Sequence, residues 1–228
     1  DYPGVPPKTE AWMILDAEEG AGIYLGLREK VAKERFEQAM RDGDDVSDFL
    51  NFVEVAAGDA FYLPAGTLHA IGEGITLLEV QETSESTFRA YDWGRRYQGK
   101  PRQLHFDEVA KVAQWGDVRG SQLVERLRRQ PLPVSEGGER AFVEKVFDER
   151  EFKVNRLTMV GAGACFVGDT RRTGFQAFTI VEGAINVGGN VGTLVAGQSF
   201  VVPALVGDYV IENAGDKSII FQFGVCAN

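Results

Sequence analysis

Gly58-Asp59-Ala60-Phe61-Tyr62-Leu63-Pro64-Ala65 recurs, altered but in register, as Gly197-Gln198-Ser199-Phe200-Val201-Val202-Pro203-Ala204. Glycine, phenylalanine, proline and alanine hold their places in both copies. Each copy opens with a turn glycine, runs up a short strand and stops at a proline, which lacks the N–H that an interior ladder needs. Such self-similarity argues for two related β-units, and 228 residues leave room for a core in each.

The flanking sequence carries the same punctuation. Short alternating runs predict strands at Ala11 to Leu15, Gly22 to Gly26, Phe52 to Val55, Ala60 to Leu63, Ile75 to Gln81 and Thr87 to Tyr91. Beyond residue 141 they predict strands at Phe175 to Val181, Ala184 to Val187, Phe200 to Val202, Tyr209 to Ile211 and Ile219 to Phe223. Turn residues separate them, among them Glu18-Glu19-Gly20 and Gly188-Gly189-Asn190, which reads as a hairpin turn. The period lengthens in two places. Val31, Phe36, Ala39 and Met40 fall on one side of a helix that Gly43 can stop, with a second short helix at Val46 to Phe52. Val109, Val112 and Ala113 predict another helix, capped near Asp107, and Leu123 to Leu127 a further turn. Pro131, Pro133 and Gly137-Gly138 read as a linker.

Composition narrows the function. Thirty-four acidic against 24 basic residues give a formal charge of −10, the wrong sign for nucleic acid or an anionic membrane surface. An anionic substrate therefore needs a local basic pocket. Cys165 and Cys226 form neither a disulfide framework nor a thiolate zinc site, which makes a reducing, cytoplasmic setting the expectation. No apolar run reaches 18 residues. The acids Asp42, Asp44, Asp45 and Asp48 lack the order of a calcium loop and read as a solvated connection.

Gly58-x5-Pro64-x-Gly66-x2-His69 is similar to the second conserved motif of the cupin superfamily, small double-sheet barrels that hold a metal inside, although Glu73 stands where that motif usually ends in Asn. Lys8-Thr9-Glu10, then Pro64 to Ala70, Leu78-Glu79-Val80-Gln81 and Ser84 to Asp92, taken in order, resemble the type I mannose-6-phosphate isomerases in their shorter bacterial form. The resemblance extends through Leu104-His105 to Val202-Pro203-Ala204.

That resemblance implies a mainly β bicupin, two double-stranded β-helix barrels. The first would span 1–104 with a helical insertion at about 27–52, a helical connector would fill 105–140, and a second, degenerate barrel would span 141–228. It implies a zinc ion held by a Gln-x-His pair, a Glu and a second His. Glu10 matches the Glu and His69 the second His, whereas the Gln-x-His pair is absent, since the chain has only His69 and His105. The expectation drawn from Asp1 starting in mid-pattern is that amino-terminal strands are missing. Glu79 matches the family's proton carrier, Arg89 its active-site arginine, and Lys8 the lysine two before the ligand Glu. Ser84-Glu85-Ser86 stands where longer members have Ser-Asp-Asn, so no role passes to Glu85. The implied activity is interconversion of mannose 6-phosphate and fructose 6-phosphate through an enediol. That chemistry needs a base, charge stabilisation at the carbonyl oxygen, and a sugar phosphate as the small-molecule partner.

Plainer readings stand beside these. Glu79 lies between Leu78 and Val80, so it is solvated if they face the packing between sheets and enters the barrel if they face outward. By sequence alone Arg89 is a surface ion-pair partner, and His105, before a helix, caps or packs. Asp208 replaces the ligand histidine and Leu205 the motif glycine in the second copy, so that barrel is expected to have lost its metal. The alternative function is a cupin module that binds a sugar phosphate without turnover. An iron oxygenase would need a second histidine beside His69, for which His105 is the only spare. Monomer and dimer both remain open.

Overall fold

In the computed structural model, residues 4–134, 140–171, 173–188 and 191–224 are described. Gly137, Gly138 and Cys226 lie outside them, as do two residues of the expected Gly188-Gly189-Asn190 turn. Among the described residues the fold is mainly β with three α-helices, and the chain divides into two compact units between Arg129 and Gln130.

The first unit contains β1 (Glu10–Ala17), β2 (Gly22–Leu27), α1 (Lys33–Asp42), a single 3-10 turn (Ser47–Phe49), β3 (Leu50–Glu54), β4 (Ala60–Leu63), β5 (His69–Ile71), β6 (Ile75–Gln81), β7 (Arg96–Tyr97), β8 (Lys100–Pro101), α2 (Phe106–Val112), α3 (Gly120–Leu127) and β9 (Arg128–Arg129). Its strands form an antiparallel sheet β6-β1-β4-β9 and a second, β3-β2-β5. The sheets meet through Trp12, Ile14, Phe61 and Leu63 from the first and Ile23 and Leu25 from the second, with Leu127 of α3 added. A separate cluster of Phe36, Ala39 and Met40 on α1 with Val109 and Ala113 seats α1 against α2.

The second unit contains β10 (Leu132–Val134), β11 (Ala141–Asp148), β12 (Lys153–Val160), β13 (Cys165–Asp169), β14 (Gln176–Glu182), β15 (Ala184–Val187), β16 (Gly192–Val195), β17 (Ser199–Val202), β18 (Asp208–Asn213) and β19 (Lys217–Gly224). A six-stranded sheet β10-β11-β12-β19-β14-β17 and a four-stranded sheet β13-β18-β15-β16 enclose Leu157, Met159, Phe178, Ile180, Ile185, Ile211 and Ile220.

The repeated octapeptide does the same job twice. The Gly58 N–H donates to Ile14 O at 2.9 Å and the Gly197 N–H to Ile180 O at 2.8 Å. In return the Ile14 N–H reaches Asp59 O at 2.9 Å and the Ile180 N–H Gln198 O at 3.0 Å. Both partner strands bulge next to that isoleucine, between Ile14 and Asp16 and between Ile180 and Glu182. After each proline a turn closes, Thr67 N–H to Pro64 O at 3.0 Å and Val206 N–H to Pro203 O at 3.1 Å.

Several expectations need correction. Residues 87–91 form no strand. The Arg89 N–H donates to His105 Nδ1 at 3.1 Å and Arg89 O accepts the His105 N–H at 2.9 Å, so a loop takes the bonds that a ladder would have used. The helix expected at 46–52 is one 3-10 turn, because Leu50 already pairs with Leu27. α2 begins at Phe106 without a side-chain cap, and Asp107 instead accepts from Arg41 at 2.8 Å. The stretch 105–129 belongs to the first unit, since α3 lays its apolar face on β2, β3 and β4. Pro133 lies in β10, at a sheet edge where the absent N–H costs nothing. No helix of the described residues is long and apolar enough to cross a membrane.

Candidate functional site

Residues directly paired across antiparallel strands point to the same side. Glu10 pairs with Leu63 and Gln81, and Trp12 with Phe61 and Glu79. Since Trp12, Phe61 and Leu63 are core residues, Glu10 and Glu79 lie on the core-facing side of this sheet, Glu10 buried and Glu79 exposed. His69 pairs with the buried Leu25 on the facing sheet and so points in from the opposite wall. Lys8, Glu10, Trp12, His69, Glu79 and Arg89 line a cavity of about 640 Å³.

Glu10 and His69 converge. The carboxylate is only 3% exposed, and its Oε2 lies 3.3 Å from His69 Nε2. The other ring nitrogen, Nδ1, sits 2.7 Å from the carbonyl oxygen of Thr67, which can only accept, so Nδ1 carries the hydrogen. Nε2 therefore faces the carboxylate either with a second proton or with a lone pair. Two acceptors at that distance repel unless positive charge lies between them. A histidine with Nδ1–H on a carbonyl and Nε2 turned toward a carboxylate is also the arrangement in which imidazole ligates metals. The pair thus fits a cation. Lys8 takes the remaining oxygen, Nζ to Oε1 at 2.5 Å. Burial pushes the Glu10 carboxyl up, but the hydrogen bonds and charges of His69 and then Lys8 outweigh it and hold the group below the ordinary carboxylate range. Among the described residues, no set of three His, Cys, Asp or Glu side chains stands close enough to hold a metal ion.

Gly66 shapes the loop that delivers His69. Its φ of +84° belongs to the left-handed region, and an added Cβ would lie 2.4 Å from the Val112 carbonyl oxygen. The Gln114 N–H returns to Gly66 O at 2.9 Å, tying this loop to the end of α2. Across the cavity, the buried Trp12 donates its indole N–H to Glu79 Oε2 at 2.9 Å and sets its ring edge-on to His69, 5.1 Å between centroids.

Arg89 is no isolated surface side chain. Its Nε lies 3.8 Å from Asp92 Oδ1, the same oxygen that accepts from Arg95 at 2.9 Å and Arg102 at 3.1 Å. Its NH1 donates to Gln103 O at 3.3 Å. Burial and then the charge of Arg102 push the Arg89 guanidinium below its usual value, against the opposing pull of Asp92. Three guanidiniums and one carboxylate leave an excess of positive charge beside the cavity of an acidic chain. Of the residues lining the cavity, the sequence singles out Arg89 as a candidate but not Asp92, Arg95, Arg102 or Trp12. The available signal was the pair of tight-turn dipeptides Trp93-Gly94 and Gln98-Gly99, which fold two arginines back toward Arg89. His105 packs, its ring holding the Arg89 backbone and meeting Phe88 edge-on.

No protein-family model matches the chain. A mannose-6-phosphate isomerase of Streptococcus mutans is 42% identical over 113 residues, which is 49% of this chain and 35% of that protein. The Bacillus subtilis mannose-6-phosphate isomerase ManA is 29% identical over 205 residues, 90% of this chain and 58% of that protein. The chain's relatives are mannose-6-phosphate isomerases. It spans between about a third and three fifths of the length of these two. The solved mannose 6-phosphate isomerase of Bacillus subtilis superposes with a TM-score of 0.79 at 26% identity, over 96% of this chain and 65% of that one. A zinc-bound mannose 6-phosphate isomerase shares the fold, with a TM-score of 0.67 at 14% identity over 96% of this chain and 66% of that one.

Proposed function

We propose that this chain forms the metal-bearing, sugar-phosphate-binding part of a zinc-dependent aldose–ketose isomerase that interconverts mannose 6-phosphate and fructose 6-phosphate, each unit being a cupin barrel. One observation carries the reading: Glu10 Oε2 and His69 Nε2 stand 3.3 Å apart on the lining of one cavity, in a chain whose relatives are named mannose-6-phosphate isomerases.

Glu10 and His69 would hold the zinc, and the bound ion would supply Lewis acidity toward the sugar's carbonyl oxygen. The chain's own groups do the rest. Glu79, anchored through Trp12, takes the proton from C2 of the aldose and returns it to C1; in the enediol between the two transfers O1 has gained a proton, and O2 gives one up as the ketose forms. Lys8 holds the carboxylate of Glu10 in place. Arg89, Arg95 and Arg102 bind the phosphate, for which planar guanidiniums are suited, and thereby fix the sugar's far end while C1 and C2 approach Glu79.

A second reading, sugar-phosphate binding without turnover, is favoured by one fact: no third described His, Cys, Asp or Glu joins Glu10 and His69. Zinc titration by calorimetry, alongside a coupled isomerase assay, separates the two. Glu10→Gln and His69→Asn should each weaken zinc binding by more than about tenfold and abolish turnover. Isomerisation that continues after complete chelation of metal would refute the zinc mechanism. Weak zinc binding with intact binding of mannose 6-phosphate and no turnover would favour the module.

A further inference from the structure

We propose that Asp92 is a positioning residue that arrays Arg89, Arg95 and Arg102 into one phosphate-binding fork, and so makes the pocket select a phosphorylated sugar. The inference rests on the phosphate reading of that cluster and adds the residue on which the cluster's geometry depends. Asp92 is 5% exposed, and its carboxylate lies within ion-pair distance of the three guanidiniums. All three approach the same oxygen, Oδ1, while the buried Oδ2 takes no hydrogen bond from any described residue. Optimising the aspartate alone would bring donors to both oxygens, because a buried carboxylate oxygen without one is costly. The arrangement instead collects three cations around a single atom, where mutual repulsion would otherwise scatter them.

The backbone is bent to the same end. Trp93 and Gly94 have φ of +49° and +66°, and the Arg95 N–H returns to Asp92 O at 2.9 Å, a tight turn with both central residues left-handed. For tryptophan that conformation is strained, and rings hold it there: Tyr91 and Tyr24 lie 5.3 and 5.8 Å from Trp93. The Arg95 guanidinium lies over the same indole at 5.2 Å while its NH2 reaches Asp92 Oδ1. A second turn with φ of +49° at Gln98 and +77° at Gly99 closes the β7–β8 hairpin and returns Arg102 to the same oxygen. The side chains of Arg95 and Arg102 remain 57% and 37% exposed, so their remaining donors stay open to a phosphate.

Calorimetric titration of the chain with inorganic phosphate and with mannose 6-phosphate tests this, using Asp92→Glu, Asp92→Asn and the double variant Arg95→Ala/Arg102→Ala. Asp92→Glu keeps the charge but moves it by one methylene, so a positioning role requires phosphate binding to weaken about tenfold. Asp92→Asn should weaken it similarly, and zinc binding should be unchanged in both. A role confined to charge predicts that Asp92→Glu binds as the parent does and that Asp92→Asn binds more tightly; either result overturns the proposal. Should Asp92→Asn lose its cooperative melt, Asp92→Glu alone decides. If the double arginine variant binds phosphate as the parent does, the phosphate reading itself fails. If it weakens while the Asp92 variants do not, only the positioning role fails.

Discussion

Gly66→Ala perturbs the loop that carries His69 in two separable ways. A φ of +84° costs an L-residue roughly 1–2 kcal/mol relative to glycine. The new Cβ would also sit 2.4 Å from the Val112 carbonyl oxygen, a backbone atom at the end of α2 that cannot swing aside. Relieving the overlap requires the loop or the helix end to shift by about an ångström, and overpacking of that kind typically costs about 1–3 kcal/mol. The sum is about 3 kcal/mol, or a fall in Tm of roughly 6–12 °C at about 2–4 °C per kcal/mol. Gly43→Ala supplies the control. Gly43 has a φ of +79° at the carboxyl end of α1, and nothing lies within 4 Å of an added Cβ, so only the conformational part is felt. Thermal unfolding of the two variants therefore reads the clash by difference, about 1–3 kcal/mol. Because His69 follows three residues later, Gly66→Ala should also weaken zinc binding, whereas Gly43→Ala should not. Equal melting temperatures for the two variants would refute the steric argument.

Two further substitutions test the local structure. Trp12→Phe preserves the ring packing but deletes the donor to Glu79; turnover should fall about tenfold with KM little changed, and a parallel rise in KM would show that Trp12 serves substrate binding instead. Asn51→Ala removes an amide that bonds the carbonyls of Leu25, Gly26 and Leu27 at 2.8, 3.1 and 3.1 Å across the β2 bulge. Chemical denaturation should show a loss of about 1–3 kcal/mol, and a loss below about 0.5 kcal/mol would mean that water replaces the amide without cost.

The strands that carry the octapeptide were legible because each needs only local signals: a turn glycine, alternation and a terminal proline. Glu10 and His69 could be paired only by resemblance, since the 58 intervening residues tell nothing of which sheet each lies on; the Trp12–Phe61 and Leu25–His69 registers supply that. The run 87–91 misled, because Phe88 and Ala90 alternate as in a strand yet pack, with Tyr91, on the α1–α2 cluster while the backbone between them bonds to a loop. Asp92 and Arg102 were invisible for a related reason. Nine residues and two left-handed turns separate them, and an acid near arginines reads as solvated until burial is known.

The second unit offers a comparison for the buried Glu10. Aligning the two strands on Ile14 and Ile180 places Gln176 at the position of Glu10 and Phe178 at that of Trp12, and the β19 register places Gln222 at that of Glu79. Both acids have become amides, and the amides satisfy one another. Gln176 Oε1 accepts from Gln222 at 2.8 Å and from the Tyr209 hydroxyl, while Gln176 Nε2 donates to Thr173 at 2.6 Å. Burial keeps that hydroxyl protonated, its pKa pushed up to about 12, so the cluster stays neutral. Gln176→Glu would put a carboxylate oxygen where Nε2 now faces Thr173 and the Asp169 carbonyl, with no counterpart of Lys8 or His69 in the cluster's hydrogen bonds. With 5% exposure, the uncompensated charge should cost about 3 kcal/mol at neutral pH. Burial raises the introduced acid's pKa in the folded state, so the deficit should shrink as pH falls toward the unfolded carboxyl's range, where both states are protonated. Denaturation of Gln176→Glu at pH 8 and pH 5 measures it. A variant as stable as the parent at pH 8, or a deficit that does not shrink at pH 5, would show that this interior tolerates a bare carboxylate, and that the charge between Glu10 and His69 is then not demanded by burial.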